Sequence, residues 1–74
     1  MIYESTLRSL NEEELSVLFF ICEKVLEPLK INATFNFLKM LNLNATLRII
    51  DVLKSQALEE KKEVFDSLKK KLTE

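Results

Sequence analysis

The stretch Asn11-Glu12-Glu13-Glu14-Leu15-Ser16-Val17-Leu18-Phe19-Phe20-Ile21-Cys22-Glu23-Lys24-Val25-Leu26-Glu27-Pro28 decides the fold. Asn11 is a good helix cap, and Glu14 follows three residues later, the spacing of a capping box. Leu10 before the cap and Leu15 at the fourth helical position make a hydrophobic staple. Glu12, Glu13 and Glu14 suit the positive end of the helix dipole. Pro28 disfavours an α conformation at Glu27, so the helix is expected to end there. Leu15, Leu18, Cys22, Val25, Leu26 and Leu29 form one stripe. From Val17 to Cys22, however, the helix is apolar all round, so it must be covered on more than one side.

Outward from this helix the chain reads as more helices. Tyr3, Leu7 and Leu10 lie at helical spacing, and Ser5 can cap a short helix over residues 4–10. On the other side, Asn32 and Asn44 read as the next two caps. The tripeptide Asn-Ala-Thr recurs at 32–34 and 44–46, and each copy opens an apolar-periodic segment. These predict helices over 33–41 and 45–56. Two copies are too few for a solenoid, which needs at least about three repeats. The last helix is expected over 58–72, with Glu59 and Glu60 in its first turn and Lys69, Lys70 and Lys71 in its last. No glycine or proline separates it from its predecessor, so one continuous helix over 45–72 stays open beside two. The expected fold is therefore all-α: a compact bundle of four helices, with a fifth short one at the N-terminus, in a single domain over residues 1–74.

Composition agrees. The chain has no glycine and one proline, which disfavours tight hairpins and glycine-built phosphate cradles. At 47% apolar and 31% charged residues, it is too apolar for disorder. The longest apolar run, Val17–Cys22, falls far short of the ~20 residues that span a bilayer. Met1-Ile2-Tyr3-Glu4 has no basic or apolar leader, and a single cysteine suits a reducing interior, so a cytoplasmic protein is expected. The Asn/Lys/Ile/Leu-rich, glycine-free chain also suits a small viral or mobile-element product.

The sequence offers little chemistry. There is no histidine and one cysteine, which leaves no disulfide and no ordinary zinc set. Cys22 lies on the apolar stripe with no base to form a thiolate, and reads as core. Glu12, Glu13 and Glu14 diverge by about 100° per residue and read as a solvated first turn rather than a cation site. Glu59, Glu60, Glu63 and Asp66 interleave with Lys61, Lys62, Lys69 and Lys70 as helix-surface ion pairs. Asn32 and Asn44 match the N-glycosylation pattern, but without a secretory route they are caps. No catalytic, cofactor or metal residues are expected, and the chain is not expected to be an enzyme.

What remains is an apolar surplus. Phe35, Leu38 and Leu41 face one way and Phe37 and Met40 another. Leu47, Ile50 and Leu53 are likewise matched by Ile49 and Val52. Only the last helix, with Val64, Phe65, Leu68 and Leu72, is an ordinary amphipath. At about 25 cal/mol per Å², leaving several such side chains in water costs kilocalories and invites association. The expected role is a non-enzymatic protein-interaction or regulatory module, either a homodimer or bound to a dedicated partner. Its interface is expected at Phe19, Phe20 and Ile21 with Phe35 or Phe37.

A second reading comes from charge. Residues 1–29 carry net −4, residues 30–56 net +3, and residues 57–74 none. The basic middle is where a helix-turn-helix would lie. Ile50-Asp51-Val52-Leu53-Lys54-Ser55-Gln56-Ala57-Leu58 resembles the end of the recognition helix of winged-helix repressors, where a Leu-Asp-x-Leu pattern runs into Gly-Leu. The resemblance covers nine residues. Ala57 replaces the glycine, the preceding stretch is about two residues short, and no strand pair follows to form a wing. It implies a DNA-binding regulator with Lys39, Asn44, Thr46, Arg48 and Lys54 as nucleic-acid contacts.

Overall fold

The computed structural model describes residues 2–74, which form an all-α bundle of five helices. These are α1 (Glu4–Arg8), α2 (Glu12–Leu26), α3 (Phe35–Lys39), α4 (Leu43–Gln56) and α5 (Glu59–Thr73). A 3₁₀ turn, Glu27–Leu29, follows α2 directly and holds Pro28. The radius of gyration, 11.6 Å, is close to the roughly 11 Å of a compact chain this long.

The α2 signals are realised nearly as read. Asn11 Oδ1 accepts a hydrogen bond from the Glu14 N–H, and Glu14 Oε1 accepts one from the Asn11 N–H, both at 2.9 Å. The helix gives way to the 3₁₀ turn at Glu27, where the proline forbids further α winding. Lys30 then turns the chain with φ 57°, the left-handed region that glycine normally serves.

The other boundaries differ from expectation. Tyr3 occupies the cap position of α1, so Ser5 lies inside the helix and caps nothing. α3 starts after Thr34, not Asn32, and spans only five residues. α4 is capped by Asn42, whose Oδ1 accepts the Ala45 N–H at 2.9 Å; Asn44 is already helical. The two Asn-Ala-Thr copies therefore do different things. Residues 32–34 are an extended connection, whereas residues 44–46 form part of the first turns of α4. Asn42 precedes Leu43, which packs half-buried against the core, and that anchorage favours the earlier start.

Residues 45–72 are two helices, not one. Ala57 and Leu58 are extended, with ψ 157° and 149°. They let α5 fold back antiparallel to α4. Two ion pairs cross the hairpin, Lys54 with Asp66, and Lys69 with Asp51 at 2.7 Å.

The core collects one side chain or more from every helix. Leu7 of α1, Leu18, Ile21 and Cys22 of α2, Leu38 of α3, Ile50 of α4 and Leu68 of α5 are essentially sealed from water. Each fully buried Leu or Ile contributes roughly 1.5–3 kcal/mol relative to exposure. α2 packs against α3 on one side and α5 on the other, so the central helix is covered twice. The backbone N–H of Ile2 donates to the Lys39 carbonyl at 3.2 Å and ties the start of the chain to the end of α3. No described helix is long and apolar enough to cross a membrane.

Candidate functional site

Apolar side chains at the edge of the core define the site: Val17, Leu53 and Phe65 pack against it half-buried, and Phe20 and Leu58 stand exposed beside them. On α2, successive positions point about 100° apart. Leu18, Ile21 and Cys22 therefore reach the core, while Val17 is half-buried and Phe20 stays 47% exposed. On α5, Leu68 and Leu72 are buried, but Val64 and Phe65, a turn earlier, remain half-buried. The α4–α5 connection leaves Leu58 68% exposed. These residues meet along one open groove. Two adjoining hollows of about 490 and 240 Å³ share Ser16, Val17 and Phe65. Phe20 and Leu53 close one end, and Gln56, Ala57 and Leu58 the other. Glu13 stands on the α2 wall and Lys61 on the α5 wall.

The position of Leu58 departs from local preference. It is the N-cap of α5, where Ser, Thr, Asp or Asn satisfies an amide of the first turn, and its side chain makes no such bond. A leucine there forgoes about 1 kcal/mol of helix stability. Because it is also exposed, it recovers little of that by burial.

Five residues were expected to form an interface, and the structure scatters them. Ile21 is 1% exposed and belongs to the core, so it cannot reach a partner. Phe19, Phe35 and Phe37 are half-buried and pack against the same core. Of the five, Phe20 alone is exposed and lines the groove. It also borders a larger, charged hollow of about 750 Å³ with Glu23, Lys24, Glu27 and Lys30. There the Lys24 ammonium lies 5.5 Å from the Phe20 ring centroid, a cation–π contact. The reading of residues missed Val17, Leu53, Leu58, Val64 and Phe65. No local signal in the sequence marks them, because the helix break that exposes Leu58 is not announced by a glycine or proline.

Of the five expected nucleic-acid contacts, Asn44, Thr46, Arg48 and Lys54 lie on α4 and Lys39 ends α3. Thr46 is 2% exposed and packs inside, which removes it from that set. Lys39 pairs with Glu4 at 3.6 Å and Lys54 with Asp66. Asn44 and Arg48 are exposed on α4.

Two titratable groups lie inside. Burial pushes the Cys22 thiol up, and the Glu23 carboxylate adds to this; the thiol is a buried, free core group. Glu14 is fully buried, which corrects its expected place in a solvated turn. Its Oε1 accepts from the Lys71 ammonium at 2.8 Å, and its Oε2 from the Ser67 hydroxyl at 2.6 Å. Burial alone would raise this carboxyl. The Asn11 amide, Lys71 and Ser67 outweigh burial and hold it below the usual carboxylate value. The cluster is satisfied on all sides and presents no free group to a substrate. Among the described residues, no three His, Cys, Asp or Glu side chains come together as metal ligands.

Comparison with known protein families, with characterised proteins and with solved structures gave no match for this chain.

Proposed function

We propose that the protein is a small non-enzymatic interaction module that docks another polypeptide in the groove between α2 and α5. The observation that carries this reading is the groove's apolar lining, Val17, Phe20, Leu53, Leu58, Val64 and Phe65, continuous over two adjoining hollows. Single exposed apolar residues are ordinary on any protein, but a contiguous patch with a polar rim marks a binding surface. Aromatic anchors beside a groove carry most of the energy when a helix docks. Phe20 and Phe65 are placed to do so. Leu58 gives up a helix cap and remains in water, a local cost that docking would offset.

The test is position-specific photo-crosslinking in the native cells. A photoreactive phenylalanine analogue replaces Leu58 in one variant and the exposed Lys70, outside the groove, in another. Protein adducts at position 58 with few at position 70 support the reading. Equal labelling at both positions, or none at 58, overturns it.

A further inference from the structure

We propose that the occupant of the groove is a second copy of this chain, related by a two-fold axis that passes between Glu13 and Lys61. The inference rests on the docking role of the groove and names the partner. Glu13 and Lys61 stand on opposite walls of one hollow, one on α2 and the other on α5. Both are exposed, and neither has an ion-pair partner within the chain among the described residues. Lys54, Lys62, Lys69 and Lys71 are paired within the chain, whereas Lys70, exposed on α5 away from the groove, is outside these ion pairs as Lys61 is. A two-fold axis normal to the groove, midway between the walls, exchanges the two positions. Each Glu13 then faces the Lys61 of the other copy, twice per dimer.

This is the self-complementarity that an isologous interface requires. A partner whose charge has a single sign would leave one of the two rim charges unmatched. The counter-charges that complete each groove are therefore supplied by the other copy. Phe20 and Leu58 are the exposed apolar ridges beside the hollows and give the knobs that a facing groove needs.

Sedimentation equilibrium of the full chain decides it, with far-UV circular dichroism to show that each variant keeps its helices. The wild type is expected at twice the 8.7 kDa chain mass. Glu13→Lys and Lys61→Glu are each expected to weaken the dimer about tenfold, because each puts two like-charged pairs across the axis. The double reversal is expected to recover most of that loss. A monomer at all concentrations up to about 1 mM overturns the proposal. So does a dimer that ignores the single reversals, or one that the double reversal fails to restore. Crosslinks from position 58 to a different protein, beside a monomeric chain, would leave the docking role standing and remove the second copy alone.

Discussion

Glu14 shows how far a residue's role depends on what lies far along the chain. Its capping-box bond to Asn11 spans three residues and is legible in the sequence. Its contacts with Ser67 and Lys71 span more than fifty residues, and no local pattern announces them. Because the ionised form is favoured in the folded state, the carboxylate's contribution is complete above the unfolded carboxylate range. It is lost as pH falls through the lowered folded value. Glu14→Gln is therefore expected to cost about 2 kcal/mol near neutrality. In urea unfolding, the gap between wild type and variant should stay constant above about pH 5 and narrow below it. A gap that widens in acid would contradict the ionised buried pair.

Lys30 is a second residue with a sharp expectation. A side chain at φ 57° carries a steric cost that glycine does not. Lys30→Gly should stabilise the chain by roughly 0.5–1 kcal/mol, read from the urea midpoint. The missing glycines did signal scarce left-handed turns, but not where the one positive φ among the described residues would fall.

At the scale of elements, α2 was legible because cap, box, staple and proline all agree on one helix. The middle of the chain was not, because Asn32, Asn42 and Asn44 are all competent caps and tertiary anchorage of Leu43 chose among them. The α4–α5 break lacked a glycine or proline to announce it. It is set instead by the packing of α4 on α5, which buries Ile50, Leu68 and Leu72; the exposed ion pairs across the hairpin add little. Leu58, at that break, separates fold from function. Leu58→Ser supplies the missing cap and is expected to raise the unfolding free energy by up to about 1 kcal/mol in dilute solution. The same change removes an apolar ridge from the groove and should weaken association. Thermal unfolding and sedimentation on one sample check both directions. A variant that is less stable while dilute would show that Leu58 serves the fold.

For the whole molecule, the expected surplus of apolar residues resolves into two parts. Most of it enters one core, as Phe19, Ile21, Phe35 and Phe37 do. Periodicity could not separate these from Phe20, because a helix that is apolar all round gives no preferred face. Of the exposed remainder, Phe20 and Leu58 lie at the groove between α2 and the α4–α5 hairpin, whereas Tyr3, Val25, Leu29, Ile31, Met40, Ile49 and Val52 are exposed elsewhere. The charge reading fared differently. The basic middle segment is real in the sequence, yet two of its lysines are engaged with Glu4 and Asp66, and Thr46 is inside. The most direct measurement of the central claim follows the backbone amide chemical shifts of the wild type through a dilution series. Shifts confined to the surroundings of Val17, Phe20, Leu58, Lys61 and Phe65 are the predicted result. Shifts centred on α1 and α3, or none at any concentration, would contradict the account.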